Sequence, residues 1–236
     1  MIKLKNISHS YGKNEILNNL SLTIDANKFT CLLGSSGSGK TTILRLIAGL
    51  EVPPKGQIYI DNKLVTENNK IIIPSQKRNL GFVFQDLALW SHFSVYKNIA
   101  FGLTERKVQN VKEKVTKILD FFGISEQANK FPHQLSGGQQ QLVAISRSLV
   151  LQPQILLMDE PLANLDVKLK RKILEHIKNL KSNFNLTVVY ITHDHREAFA
   201  IGDKIIVLNE GKIEETGTSE KIKKSENKFV KYFLEY

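Results

Sequence analysis

Lys40 and Thr41 close a run of small residues, Gly34, Ser35, Ser36, Gly37, Ser38 and Gly39, and Thr42 follows them. The spacing is that of a G-x-x-x-x-G-K-T phosphate loop. Glycines let such a backbone bend until its N–H groups point inward, and the N-terminus of a following helix completes an anion cradle. Lys40 then reaches the β- and γ-phosphates of a nucleotide as a point charge, and the Thr41 hydroxyl is offered to Mg²⁺. A flexible Gly/Ser loop is the alternative, but it leaves the flanks unexplained. Phe29-Thr-Cys-Leu-Leu33 reads as a short buried strand and Ile43-Leu-Arg-Leu-Ile-Ala48 as a helix, the order that the motif requires.

A second group of reactive side chains lies far downstream. Asp159 and Glu160 end the apolar run Ile155-Leu-Leu-Met158. Such a run belongs in a parallel sheet buried on both faces, and acids at its C-terminal end stand where open α/β sheets place their ligands. Asp159 is expected to hold Mg²⁺, directly or through water, and Glu160 to accept a proton from an attacking water. Helix capping is the structural alternative for the pair. His193 closes another apolar run, Thr187-Val-Val-Tyr-Ile-Thr192. A lone His is usually structural, but this one is expected beside the Asp159 strand, within reach of a γ-phosphate. Leu135-Ser-Gly-Gly-Gln139 opens a helix with Leu142, Ile145 and Leu149 on one face, and Ser136 is well placed as its N-cap.

The elements that must position these groups follow from periodicity. Residues 2–8 alternate apolar and polar, Ser10-Tyr-Gly-Lys-Asn14 gives a turn, and Ile16 to Ile24 alternate again, which predicts an antiparallel hairpin beside the nucleotide core. Tyr11 sits at its tip as a surface aromatic. Gln57 to Asp61 and Leu80 to Phe84 read as strands, the second ending at Gln85. Between them, residues 62–79 are polar with one apolar patch at Ile71-Ile-Ile73. From about Asp86 to Phe131 the period becomes helical, with Val111, Val115, Ile118, Leu119 and Phe122 on one face. Trp90, His92, Phe93 and Tyr96 open this insertion, as a docking surface or as packing between its helices. Leu165-Asp166 begins a helix to about Asn183, and another runs from His195 to about Gly202. A hairpin turns at Asn209-Glu-Gly211, and the tail from Ser219 to Tyr236 reads as two short helices.

The 236 residues, 42% of them hydrophobic, suffice for one sizeable core, and no apolar run is long enough for a membrane span. Met1-Ile-Lys-Leu-Lys-Asn6 lacks a signal-peptide core, so a cytosolic protein is expected. The single cysteine, Cys31, excludes an internal disulfide and reads as a small buried hydrophobe. A net charge of +10 permits nucleic acid or an anionic membrane surface as partner. Its densest groups, Lys168-Leu-Lys-Arg-Lys172 and Lys221-Ile-Lys-Lys224, sit in amphipathic helical patterns and read as solvated faces.

Taken together, these motifs resemble the ATP-binding cassette ATPases over nearly the whole chain. The Walker A loop is Gly34 to Thr42, the Q-loop residue Gln85, the signature Leu135 to Gln139, Walker B Ile155 to Asp159 with Glu160 after it, the D-loop Leu165-Asp166, and the switch histidine His193. Tyr11 matches the aromatic that stacks on adenine. The resemblance implies an α/β fold: a P-loop NTPase (RecA-like) core with an antiparallel β layer and an inserted α-helical subdomain. The expected division is a core at 1–86 and 147–218, a helical signature subdomain at 87–146, and a short tail at 219–236. It implies a head-to-tail homodimer in which each ATP lies between one subunit's Walker A and the other's signature. Ser136, Gly137, Gly138 and Gln139 then form a second anion site, Asp166 joins it, and Gln85 adds a metal contact beside Thr41 and Asp159. Lys40, Gln85, Glu160 and His193 are the implied catalytic groups.

The segment Pro74 to Trp90 looks like that of bacterial importer ATPases, which implies integral permease subunits, an external solute-binding protein acting indirectly, and a peripheral place on the cytoplasmic face of the membrane. Relatives acting on nucleic acid usually fuse two cassettes or insert coiled coils, so nucleic acid is not expected. Many importer relatives carry a C-terminal regulatory barrel; the chain's end soon after the core is expected to mean that it is absent. Such ATPases usually have Arg where this sequence has Leu142, which implies altered tuning of the signature helix with ATP use kept.

Overall fold

Alternation decides the first layer. Ile2, Leu4 and Ile7, then Leu20, Leu22 and Ile24, point to one side and are buried, while polar residues between them face water. In the computed structural model, which describes residues 1–163 and 165–235, these residues form β1 (Ile2–Tyr11) and β2 (Asn14–Ile24). The two pair antiparallel, Tyr11 opposite Asn14. Both strands run closer to the turn than the alternation alone indicates. With β4 (Lys55–Ile60), β5 (Lys63–Glu67) and β6 (Lys70–Ile71) they make a five-stranded sheet in the order β2-β1-β4-β5-β6. The last two strands lie in the polar stretch where the sequence shows no strand.

The second sheet holds β3 (Phe29–Gly34), β7 (Leu80–Val83), β8 (Ile155–Asp159), β9 (Thr187–Thr192), β10 (Lys204–Asn209) and β11 (Lys212–Gly217), ordered β11-β10-β3-β9-β8-β7. All pairings are parallel except β10 with β11. The central three strands are buried along their whole length, as their apolar runs require. Their side chains divide by alternation between two cores. Leu32, Leu157, Val189 and Ile191 pack with the antiparallel layer and with Ile43, Leu44 and Ile47 of α1 (Lys40–Ala48). Leu33, Met158, Val188 and Tyr190 face the other way. They meet Ile173 and Ile177 of α5 (Val167–Asn183), Ala198 of α6 (His195–Ile201), and the insertion of α2 (Val95–Glu105), α3 (Val111–Phe122) and α4 (Gly137–Leu149). Each such fully buried aliphatic side chain contributes about 1.5–3 kcal/mol.

Two anchors fix the helices that bear the motifs. Arg78, only 4% exposed, donates to Leu46 O, Ile47 O, Val65 O, Ile73 O and Thr66 Oγ1 at 2.7–3.2 Å. It thereby gives a donor to Ile47 O at the C-terminal end of α1 and a second one to Leu46 O, which Gly49 N also reaches. Burial pushes its guanidinium down to about 10, which leaves it charged at neutral pH. Ser148, near the end of α4, donates to Phe82 O of β7 at 2.9 Å. The boundary expected at 146/147 therefore falls inside one continuous helix that joins the insertion to the sheet. The tail forms α7 (Ser219–Lys223) and α8 (Lys228–Glu235), with Tyr236 outside the described residues. Among the described residues no helix is long and apolar enough to cross a membrane.

Candidate nucleotide site

β3 ends at Gly34 and α1 begins at Lys40, so the expected loop is a bend between a buried strand and a helix. Gly34 is there because β10 passes against it: a Cβ would lie 2.1 Å from Leu208 O. Gly39, at φ 93°, turns the chain into α1 in a conformation that side chains resist. Lys40 is 4% exposed, and its Nζ donates to Gly34 O at 2.9 Å, Ser35 O at 2.7 Å and Ser38 Oγ at 3.3 Å. A buried ammonium thus leans on neutral oxygens. Burial holds it below the ordinary lysine range, while Glu160 and Asp159 draw it back up. These properties suit a cation kept for an incoming anion.

Thr41 Oγ1 donates to Asp159 Oδ1 at 3.0 Å, bringing together two residues 118 positions apart. Burial raises the Asp159 carboxyl above its usual range, and the Thr41 hydrogen bond partly opposes that. Both groups offer hard oxygens at one point beside the loop, the donor type that Mg²⁺ takes. Among the described residues no cluster of three or more His, Cys, Asp or Glu side chains forms another metal centre. Thr41 and Asp159 therefore fit the expected ion. Gln85 lines the same cleft, with Tyr11, Ser36, Gly37, Thr42 and Glu160.

Strands β8 and β9 are neighbours, with Asp159 beside Ile191, so the residues just past their ends meet. His193 Nδ1 lies 3.1 Å from Glu160 Oε2. Glu160 adopts φ 41°, a left-handed backbone that costs a non-glycine residue about 1–3 kcal/mol and is typical of functional positions. Below His193, the buried Glu197 accepts from Tyr190 Oη and Thr192 Oγ1, each at 2.8 Å, and from Lys170 Nζ at 3.2 Å. Thr192 Oγ1 also accepts from Asp194 N at 2.9 Å, so this network fixes the backbone on both sides of His193. One lysine of the basic run on α5 thus turns inward, while Lys168, Arg171 and Lys172 stay exposed.

The signature lies apart from the loop of its own chain. Ser136 caps α4 as expected, its Oγ accepting from Gln139 N at 3.3 Å while Gln139 Oε1 accepts from Ser136 N at 3.0 Å. Ser136 and Gly137 are exposed. Among the described residues none of Leu135 to Gln139 lines the cleft over the phosphate loop; Gly137 lines a second cleft with Gln85, Gln140, Glu160 and Leu165. Gly138 is buried against Leu169, whose Cδ1 would lie 2.6 Å from an added Cβ. Asp166 caps α5, accepting from Leu169 N at 3.0 Å. Leu142 is buried among Leu135, Val143 and Ile145.

The aromatic opening of the insertion packs its own elements together. Trp90 packs 4.6 Å from Phe101, centroid to centroid, and 5.7 Å from Phe93, and Phe101 is 38% exposed. Arg147 of α4, unremarked in the sequence, donates to Leu87 O and Ala88 O at 2.8 and 2.6 Å and lies over the Trp90 ring. It clasps the segment after Gln85, where Leu87 and Ala88 both have positive φ. Tyr11, exposed on one side, donates to Glu51 Oε2 at 2.6 Å. Neither Arg147 nor Glu51 carries a local pattern; in each case the signal is a partner about forty to sixty residues away.

Strand, glycine loop, Lys-Thr helix and a strand-end acid on the Thr define a P-loop nucleotide-binding fold. A family profile described as ABC transporter matches residues 17–163, and the chain belongs to that family. It is similar to an Fe(3+) ions import ATP-binding protein of Vibrio cholerae, 44% identical over 95% of this chain and 63% of the relative. It is likewise similar to a trehalose/maltose import ATP-binding protein of Thermococcus litoralis, 42% identical over 99% of this chain and 64% of the relative. The chain thus spans under two thirds of the length of these relatives. Among solved structures, the dimeric bacterial ABC transporter cassette MJ0796 superposes with a TM-score of 0.81 at 34% identity, over 93% of this chain and 99% of that one. The same cassette is known as a dimer bound to ADP and Pi.

Proposed function

We propose that this chain binds and hydrolyses ATP as the drive subunit of a membrane importer. The observation that carries the reading is the Glu160 carboxylate, which lines the cleft beside Lys40 and Thr41 and is held by His193 at 3.1 Å. Glu160 accepts the proton of a water attacking the γ-phosphate. His193 orients that carboxylate through its Nδ1. Lys40 and the loop N–H groups bear charge that grows on the phosphate. Thr41 and Asp159 would hold Mg²⁺, with Gln85 beside them; the ion neutralises phosphate charge when bound.

The exposed Ser136 and Gly137, which do not line the phosphate-loop cleft of their own chain, support a head-to-tail homodimer in which each ATP lies between one copy's loop and the other's signature. The relatives' names support import, a place on the cytoplasmic face of the membrane, and permease subunits as partners with an external solute-binding protein beyond them. Identities to iron and sugar import proteins are nearly equal, which supports a generic drive unit whose solute is chosen elsewhere in the assembly. The test is ATP turnover measured across a dilution series. Specific activity should fall as the dimer dissociates, and constant activity at all concentrations would exclude the shared site.

A further inference from the structure

Tyr11 does not stand free at the edge of the cleft. Its hydroxyl donates to Glu51 Oε2 at 2.6 Å, and the other carboxylate oxygen accepts from Arg45 Nη1 at 3.2 Å. His9, on the same face of β1 two residues before Tyr11, sets its ring edge-on to the phenol, with centroids 5.0 Å apart and planes at 84°. His9 Nε2 lies 3.2 Å from Glu51 Oε2, though not aligned for a hydrogen bond. The side chains of His9 and Glu51 are 10% and 19% exposed, so the clasp lies below the surface while Tyr11 keeps 45% of its area open.

The backbone holds Glu51 for this role. Gly49, at φ 75°, ends α1, and Leu50 N and Glu51 N both reach back to Arg45 O. Strand β1, helix α1 and the turn after α1 therefore converge on one carboxylate. α1 is the helix whose first residues belong to the phosphate loop, and Tyr11 Oη also stands 3.5 Å from Thr42 Oγ1. An aromatic ring offers a stacking face to a base only at a defined tilt; the hydroxyl bond to Glu51 fixes the axis of the Tyr11 ring, and the edge-on His9 ring limits its rotation about that axis.

We propose that Glu51 is a positioning residue that fixes the Tyr11 ring as a platform for the base, so that the cleft prefers a nucleoside triphosphate to a bare polyphosphate. This rests on the reading of the cleft as a nucleotide site. Losing a stacked base weakens binding about tenfold or more, whereas the phosphate contacts stay as they are.

Calorimetric titration of the full chain with MgATP and with magnesium tripolyphosphate tests the assignment in wild type, Glu51→Ala, Tyr11→Phe and the double variant. Each single variant should bind ATP about five- to tenfold more weakly with tripolyphosphate affinity unchanged, and the double variant should lose no more than one single does. Unchanged ATP affinity, equal weakening for both ligands, or additive losses would each overturn it. Tyr11→Phe, which removes one oxygen from a half-open ring, decides alone if Glu51→Ala does not fold. Wild-type protein that bound neither ligand would instead refute the nucleotide site itself.

Discussion

His193 Nδ1 and Glu160 Oε2 stand 3.1 Å apart, across the C-terminal ends of two adjacent parallel strands. Neither residue is near the other in sequence; the sheet order brings them together. The contact gives one carboxylate a fixed direction at the mouth of the phosphate cleft.

Replacing that carboxylate with an amide keeps its shape and removes its basicity. Glu160→Gln should bind ATP within about twofold of wild type and lose about 10²–10⁴-fold in turnover. It should also trap the closed dimer in the presence of ATP. Single-turnover hydrolysis and gel filtration check both, and wild-type turnover in this variant would remove Glu160 from the mechanism.

Arg78 carries five hydrogen bonds in the interior. Arg78→Met takes the donor from Ile47 O, Ile73 O and Thr66 Oγ1, while Leu46 O and Val65 O keep backbone partners, and it should destabilise the chain by about 2–4 kcal/mol. A urea midpoint unchanged from wild type would show that water replaces the guanidinium.

Leu142, where the sequence resemblance leads one to expect Arg, fills an apolar cluster. Leu142→Arg would force a guanidinium into that cluster, with an expected loss of about 3 kcal/mol. Thermal melting measures it; a more stable, more active variant would mean that the local packing is ready to receive the charge.

Lys40 is held below the ordinary lysine range by burial. A base with a lowered folded-state pKa costs stability wherever the unfolded chain keeps the proton. That cost fades as pH rises from the lowered value towards the ordinary one near 10.4. Lys40→Met should thus abolish ATP binding and yet make the free chain more stable than wild type at pH 7. Melting temperatures of both proteins from pH 7 to 10 should converge, and a gap that widened would reverse the sign.

Cys31 is fully buried in β3, and burial pushes its thiol far above the usual range. Reaction with a disulfide reagent should be slower in native protein than in urea by about a hundredfold or more. Equal rates would show that the strand opens readily.

The sequence displays what is local. The phosphate loop, the cap at Ser136 and the strand-end acids each need residues within a dozen positions, and the structure places them as expected. β5 was not legible, because five residues with two central aliphatics differ little from a polar connection. Arg78, Glu51, Glu197 and Arg147 were not legible for another reason. Each acts on partners brought near by sheet order or helix packing, and a single charged residue gives no hint of which carbonyls or rings surround it.

The order β10-β3-β9 also sets a timetable. Phe29 pairs with Val188 and Cys31 with Ile205, so both neighbours of the loop-bearing strand are made more than 150 residues after it. During synthesis β3 emerges early, apolar on both faces, and waits with its edges bare until residues 187–209 have left the ribosome. Contacts of such long range close slowly and leave an intermediate open to misassociation. Capture of ATP by a nascent chain therefore reports completion of the sheet, and the interval before it is when this chain most needs a chaperone.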